Sequence, residues 1–586
     1  MLAVKERSMP RIAVIDPKLC FPLKCNLECV KNCPVNRVGK DCLYLVDRRK
    51  KKGDVTEQAP EHVTKREYTN DERMNSRAEI DPGLCTGCGI CPKVCPFHAI
   101  TIVNLAEAKE EERVFSYGYN AFGLYRMAIP RKGLIAVVGE NGCGKSTNLK
   151  LLAKQLTPQR MPTKEIQEYF KALDEKRVVW KPQELNAVRS GKNVEAVLKG
   201  IDEADRLRAI ERVFDLKRLY GRKLDELSGG ELQQVTVAAA LLREKETYLL
   251  DEPFAFMDYT YRIRLIEYLK NHFAEKNVLL VDHDISLLSY VCPQAHVLYG
   301  TPAAYGIVSQ VYGTDRAINM FLEGFIGPEN VRFRKDSLAY RHYAEEQKKN
   351  GVLTLAKTRL TRGSFEVENR KEVLVRDGEI IGIAGPNGIG KSTWMQALHE
   401  KNEARTAMKT QLLVRDDELV ANTLTPLDLF AETFVRTMDL KRLEFLRTSD
   451  LSGGELQKLR IYEALNQEKS VYVLDEPTNM LDVSGRIRLS KMLRERVKEG
   501  RAVLLVDHDL EFLFNTVDRV IVMEGESGVH GEVKDVYDKH EGAKVLLKQF
   551  GLTYRKDGNT ERLKLNKPGS RKDAALKKSK EFIEVG

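Results

Sequence analysis

A chain of 586 residues exceeds what a single hydrophobic core can organise, so length predicts about three or four domains. Hydrophobic residues at 42% and charged residues at 31% give a globular balance, and no run approaches the roughly 18 to 20 apolar residues of a membrane span, which excludes disordered and membrane-spanning classes. The opening MLAVKERSMPRIAVIDP lacks an apolar signal region, so a cytoplasmic protein with no membrane partner is expected, and the net charge of +10 permits a polyanionic partner without requiring one.

Nine of the 11 cysteines lie in the first 95 residues, a clustering that in a reducing compartment points to metal ligation rather than disulfides. Eight of these form two runs, Cys20-x4-Cys25-x3-Cys29-x3-Cys33-Pro34 and Cys85-x2-Cys88-x2-Cys91-x3-Cys95-Pro96. The second has the bacterial ferredoxin spacing, in which three close thiolates take three irons of one cluster and the fourth serves its neighbour. Crossed ligation of two 4Fe–4S clusters is therefore predicted, with Cys85, Cys88, Cys91 and Cys33 on one and Cys20, Cys25, Cys29 and Cys95 on the other. Four thiolates also suit tetrahedral zinc, but zinc requires no repeated Cys-x3-Cys-Pro. Cys42, Cys143 and Cys292 read as unligated thiols. Between Cys42 and Cys85 the run Arg48-Arg49-Lys50-Lys51-Lys52 and the shortage of apolar residues predict an exposed insertion.

The rest of the chain repeats itself. After the apolar run LIAVV comes Gly139-Glu140-Asn141-Gly142-Cys143-Gly144-Lys145-Ser146-Thr147, and after IIGIA comes Gly385-Pro386-Asn387-Gly388-Ile389-Gly390-Lys391-Ser392-Thr393. LSGGE then appears with Ser228, Gly229 and Gly230 and again with Ser452, Gly453 and Gly454. Apolar strands end in Asp251-Glu252-Pro253 and Asp475-Glu476-Pro477, and Asp-His pairs follow with His283 and His508. From signature serine to strand-ending aspartate the gap is 23 residues in both halves, which predicts one shared fold. From P-loop lysine to signature serine the gaps are 83 and 61 residues, so the first half carries 22 more, roughly enough for a helical hairpin. The stretch GIVSQVYGTDRAINMFLEGFIGPENVRFR between the repeats reads as a structured hinge.

The chemistry of these motifs is phosphoryl transfer. Glycines let backbone amides curl round phosphate oxygens at a helix N-terminus, and Lys145 and Lys391 then pair with the β and γ phosphates. Ser146 and Ser392 would offer hydroxyls to magnesium, with Asp251 and Asp475 holding the ion directly or through water. The Ser-Gly-Gly turns each open a helix and make further anion-binding termini.

LSGGE marks a resemblance to the ATP-binding-cassette family, and that resemblance implies that each signature loop meets the nucleotide held by the other half. One ATP would then lie between Lys145 and Ser452 and the other between Lys391 and Ser228. By the same resemblance Glu252 and Glu476 orient the attacking water, while His283 and His508 contact the γ phosphate. Gln183, in Lys181-Pro182-Gln183, and Gln411, in Lys409-Thr410-Gln411, would reach the magnesium and the water. Tyr117 and Phe122 sit where the family stacks adenine, although core aromatics occur at such places too. Phe365 is the counterpart in the second half. The first half departs from the family after Asp-Glu-Pro, reading FAFMD with Phe254 and Phe256 where the second reads TNMLD, so the two sites need not be equivalent.

Ferredoxin-like cysteines ahead of two cassettes resemble subfamily E, the RNase L inhibitor family, across nearly the whole chain. INMFLEGFIGPENVRFR, EGESGVHGE, GLTYRKD and NKPGSR are similar to its linker and C-terminal phrases. The resemblance implies an archaeal member with two α/β cassettes of the P-loop class, an N-terminal α+β ferredoxin-like domain and a hinge. Expected boundaries are 1–105 for the iron–sulfur domain, 106–310 for the first cassette with a helix-loop-helix insertion, 311–348 for the hinge, 349–535 for the second cassette and 536–586 for a hinge-like tail. It further implies a monomeric ATPase using ATP and magnesium, which splits ribosomes after termination or rescue with a Pelota-like or release factor and stays on the small subunit, where initiation factors are further partners. An ATP-coupled iron–sulfur electron-transfer enzyme is the alternative. A transporter subunit, the third reading, would need a membrane partner and no ferredoxin module.

Overall fold

The computed structural model describes residues 11–47, 68–81, 84–104, 110–118, 121–173, 177–185, 188–340, 350–498, 500–558, 560 and 562–584. The basic run from Arg48 to Lys52 lies outside them. Two antiparallel strand pairs frame the N-terminal domain, Arg11–Ile15 with Ile100–Asn104 and Leu43–Asp47 with Ser76–Ile80. Cys29 and Cys91 lie in the helices Glu28–Lys31 and Ile90–Val94, Cys33 precedes the helix Pro34–Arg37 and Cys95 follows Ile90–Val94; these helices are too short to persist in water without packing or ligation.

Each repeat builds an eight-stranded sheet of one topology. The first runs Arg113–Ser116, Gly123–Tyr125, Tyr305–Gly313, Gln294–Thr301, Gly133–Gly139, Asn277–Val281, Thr247–Asp251 and Val178–Lys181. The second runs Thr358–Arg362, Phe365–Asn369, His530–Asp538, Arg519–Glu526, Ile380–Ala384, Ala502–Val506, Val471–Asp475 and Thr406–Lys409. The last five strands of each series are parallel and the outer ones add antiparallel pairs. Thr247–Asp251 and Val471–Asp475 are buried along their whole length, which is why both read as unbroken apolar runs.

Two expectations need correction. The 22 additional residues of the first half do not form a hairpin: most lie between the P-loop and the edge strand Val178–Lys181, where the described residues hold one helix, Lys164–Ala172. Residues 153–163 form the connection to that helix, and Leu173 then turns extended, so length that could have made two helices makes one. The expected cassette ends at 310 and 535 also fall inside strands. Pairing continues to Gln294 with Gly313 and to Arg519 with Asp538.

At both places a helix follows without a break, Thr314–Glu323 and Lys539–Phe550, and each ends on a left-handed glycine, Gly324 at φ 71° and Gly551 at φ 64°. A short antiparallel hairpin comes next in both, Phe325–Ile326 with Val331–Arg332 and Tyr554–Lys556 with Leu563–Leu565. The hinge and the tail are therefore further copies of one unit. In the tail Tyr554 Oη lies 3.0 Å from Tyr259 Oη of the first half, and Arg562 Nη1 lies 2.6 Å from Glu511 Oε1 of the second.

Candidate functional sites

Both P-loops place their lysine at the first position of a helix, after Gly144 at φ 100° and Gly390 at φ 85°. Only glycine fits there, since a Cβ on Gly144 would come within 2.5 Å of Phe122 and one on Gly390 within 2.8 Å of Phe365. Phe122 and Phe365 thus stand equivalently against the two loops, and Tyr117 Oη lies 3.3 Å from Thr147 Oγ1. Lys145 Nζ donates to Gly139 O at 2.7 Å, and Lys391 Nζ to Gly385 O at 2.8 Å. Cys143 is buried at the position of buried Ile389, a packing residue in both loops.

The serine after each lysine stands beside the aspartate that ends the neighbouring strand and favours its ionised form, Ser146 for Asp251 and Ser392 for Asp475. Burial and the charge of Glu252 push Asp251 up to about 6, with Lys181, Ser146 and Lys145 opposing. Oδ1 of Asp475 is buried and has no hydrogen-bond partner among the described residues. A serine hydroxyl beside an under-coordinated buried carboxylate oxygen is a donor set that suits magnesium.

Glu252 and Glu476 follow these aspartates in the left-handed region, at φ 49° and 47°, where a side chain that is not glycine needs holding. On the first, Gln183 Nε2 donates to Oε1 at 2.7 Å and His283 Nε2 lies 3.1 Å away. On the second the distances are 2.8 Å to Gln411 and 3.2 Å to His508, so Gln411, weakly marked in sequence, stands as Gln183 does. Burial would raise both carboxyls, but the histidines and lysines around them hold each down to about 2. A carboxylate kept ionised beside two donors can accept from a water and polarise it.

Four residues that sequence reasoning passed over fix the strained glutamates. Lys181 Nζ donates to the carbonyls of Asp251 (2.9 Å) and Glu252 (3.2 Å), and Lys409 Nζ to those of Asp475 (2.8 Å) and Glu476 (3.3 Å). Burial pushes both lysines down to about 8. Gln233 and Gln457, on the signature helices, donate to the glutamate carbonyls at 2.7 and 2.8 Å. Their signal was available, because Lys stands two places before Gln and Gln five places after Ser in both repeats.

The signature serines cap their helices in reciprocal capping boxes, Ser228 with Glu231 and Ser452 with Glu455. Across the two halves, Asn141 N donates to Asp482 Oδ2 at 2.7 Å, and a Cβ on Gly454 would lie 3.6 Å from Asn141 Nδ2. The first P-loop thus faces the second signature. Ser484 Oγ and Arg334 Nη1 both reach Glu140 Oε1, at 2.7 and 2.9 Å, joining hinge, P-loop and second half. Asp258 of the first half acts electrostatically on Lys391. Between the sites, Arg486 pairs with Asp509 at 2.5 Å and donates to His283 O at 3.3 Å, while Arg262 pairs with Asp284 at 3.3 Å and donates to His508 O at 3.5 Å. Each arginine therefore holds the histidine loop of the opposite half.

In the N-terminal domain the thiols ring two cavities. One is lined by Cys20, Cys25, Cys29 and Cys95, the other by Cys33, Cys85, Cys88 and Cys91, each taking its fourth cysteine from the other run. Cys42 lines the second as well, a neighbour the spacing did not foresee. No three Cys, His, Asp or Glu side chains among the described residues converge on one point that could hold a single ion. Zinc requires such convergence, whereas in a cubane each thiolate takes its own iron, so rings of thiols suit clusters. Backbone amides donate to two of the sulfurs, Ala78 N to Cys20 and Gly87 N to Cys85, both at 3.4 Å. The domain touches the second half through Phe97 and Phe445, edge to face with centroids 4.6 Å apart.

Paired cassettes behind a two-cluster ferredoxin-like domain define a twin ATP-binding-cassette ATPase with iron–sulfur clusters. The ABC transporter family model matches residues 125–255, a possible Fer4-like domain in RNase L inhibitor matches 10–41, and a 4Fe-4S binding domain matches 78–101. An uncharacterized ABC transporter ATP-binding protein of Methanocaldococcus jannaschii is 35% identical over 98% of both chains. Translation initiation factor RLI1 of Chaetomium thermophilum is 32% identical over 99% of this chain and 98% of its own. A model of ribosome-bound archaeal Pelota and ABCE1 superposes with a TM-score of 0.86 at 35% identity, covering 98% of this chain and 99% of that one. The chain belongs to the RNase L inhibitor family, subfamily E of the ATP-binding-cassette proteins. Among the described residues no helix is long and apolar enough to cross a membrane.

Proposed function

We propose that this protein is a ribosome-recycling ATPase of the cytoplasm, which parts ribosomes into subunits after termination or rescue and stays on the small subunit. It works as a monomer with a Pelota-like or release factor. Its units are the iron–sulfur domain, the two cassettes, the hinge and the hinge-like tail. Lys145 and Lys391, with the P-loop amides, take the β and γ phosphates. Ser146 and Asp251 in one site, and Ser392 and Asp475 in the other, would hold magnesium with Gln183 and Gln411. That ion supplies charge neutralisation between the phosphates.

Glu252 and Glu476 orient the attacking water, and His283 and His508 face the transferring phosphoryl group. Ser228, Gly229 and Gly230 complete the second site, and Ser452, Gly453 and Gly454 the first, so both exist only when the halves close. Tyr117 and Phe122 stack the adenine of the first site. The clusters supply stiffness, turning a domain of short elements into a lever.

The contact of Phe97 with Phe445 carries this reading. Phe445 precedes signature Ser452 by seven residues, so movement of that signature on closure is passed to the iron–sulfur domain. Full-length similarity to a protein seen with Pelota on the ribosome supports the partner. The exposed helix Lys164–Ala172 is assigned to small-subunit contact, and shortening it should weaken cosedimentation with that subunit but not nucleotide affinity.

Sucrose-gradient sedimentation of ribosomes with the protein, a Pelota-like factor and ATP tests the function. Splitting is expected to depend on Lys145 and Lys391, and intact ribosomes under all conditions would refute it. Glu476→Gln should bind ATP yet accumulate, closed, on small subunits, and hydrolysis at the parent rate would remove Glu476 from its role.

A further inference from the structure

The two catalytic glutamates are held alike on one oxygen and differently on the other. Oε1 of each meets a glutamine and a histidine at matching distances. Oε2 of Glu476 additionally accepts a hydrogen bond from Nδ2 of Asn479. The corresponding residue of the first half is Ala255, and among the described residues no side chain donates to Oε2 of Glu252. Both loops make the same turn, with Asn479 N to Glu476 O and Ala255 N to Glu252 O each at 3.4 Å. The difference therefore lies in the side chains and not in the backbone.

Their neighbours reinforce it. Thr478 Oγ1 donates to Asp507 Oδ1 at 2.7 Å and Thr478 N to Asp507 Oδ2 at 3.1 Å, anchoring the loop that carries Asn479 twice. In the first half Phe254 keeps only the backbone bond, N to Asp282 Oδ2 at 3.2 Å, and buries its ring where the hydroxyl would be. The terminal torsion of a glutamate is broad, so a carboxylate tied through one oxygen can rock about its bond. Tied through both, its plane is fixed and its remaining lone pairs keep one direction.

We infer that Asn479 is a positioning residue for hydrolysis in the second cassette. It fixes the carboxylate plane of Glu476 toward the attacking water, a constraint that Ala255 does not place on Glu252. The inference rests on the assignment of Glu476 as the carboxylate that orients water.

Steady-state kinetics of the full-length protein, with each cassette silenced in turn, provides the test. In a Glu252→Gln background, Asn479→Ala should lower kcat about tenfold, the usual cost of one hydrogen bond to a charged group, and move KM for ATP by less than about twofold. Asn479→Asp keeps the shape but sets an acceptor against the carboxylate, so its kcat should fall at least as far. A role in packing alone predicts that Asp restores the rate. In a Glu476→Gln background the Asn479 substitutions should leave kcat within about twofold, because turnover there comes from the first cassette. An undiminished kcat for Glu252→Gln with Asn479→Ala, while Glu252→Gln with Glu476→Gln is dead, overturns the role of Asn479 alone. A double glutamine variant as fast as the parent overturns the assignment of Glu476, and this inference with it.

Discussion

In the iron–sulfur domain no helix among the described residues exceeds five residues, whereas the cassettes bury strands on both faces and pack helices of up to 15. The cassettes are held by apolar interior: Leu249, Leu250, Leu279 and Leu280 in one and Val473, Leu474, Leu504 and Leu505 in the other are fully buried. The N-terminal domain gathers instead nine thiols about two cavities, with a thin shell of Ala13, Ala78, Ile80 and Ala99 behind them. Small domains with little core generally depend on staples, and here the staples are ligand bonds. The lesson is that rigidity and hydrolysis have separate physical sources in this chain.

The strongest attempt to break that contrast is removal of iron. Stripping the clusters should abolish the visible cluster absorbance and the protease resistance of the N-terminal domain completely, while both cassettes keep binding ATP. Loss of nucleotide binding at the same step would show that the cassettes lean on the clusters. The converse is Leu250→Ala, which should cost the first cassette about 2–5 kcal/mol in denaturant unfolding and leave the cluster absorbance intact in the native protein.

Protons offer a third probe. Asp251 is raised to about 6 from an ordinary 3.8, so the folded protein takes up that proton first; its burial weighs against folding at neutral pH and is relieved as pH falls from 6 toward 3.8. Glu252 and Glu476, held at about 2 against an ordinary 4.5, act oppositely, contributing stability above 4.5 that is lost as pH falls toward 2. Because a proton on Asp251 competes with magnesium, magnesium-dependent ATP binding at the first site should weaken by up to about tenfold per pH unit below 6. The cluster absorbance should not follow that titration. A flat binding profile from pH 7 to 5 would take Asp251 out of the metal site.

The smallest effect expected is at the seam between the two kinds of interior. Phe445→Ala should loosen the docking of the iron–sulfur domain by about 0.5–1.5 kcal/mol, seen as faster hydrogen exchange around Phe97, with basal ATPase activity changed less than about twofold. Unaltered exchange would mean that Phe445 does not hold the domain.

The P-loops and signature turns were legible because their chemistry demands fixed residue types at fixed spacing, and the grouping of cysteines from both runs about each cavity because the ferredoxin rule states which thiol crosses. Donors that converge from distant segments were not. Lys181 meets Glu252 across 71 positions, and nothing in Lys-Pro-Gln says what its ammonium will touch. The supposed hairpin failed because chain length alone does not distinguish a helix from the connection that reaches it. The cassette ends were misplaced because strand and helix abut at Gly313 and Thr314 without any turn to mark a border. A hinge-like tail was expected, but not its matching elements, because the hairpin segments FIGPENVRFR and TYRKDGNTERLKL, each after a helix and a glycine, share a shape and few letters.

Arg262 is buried and Arg486 mostly so, each beside a buried aspartate, at the axis between the cassettes. Counter-ions reach such pairs poorly, whereas the exposed lysines of the last described helix, Arg571–Ser579, sit in the full ionic atmosphere. Rising ionic strength should therefore loosen the hold on a polyanionic surface well before it separates the two halves from one another.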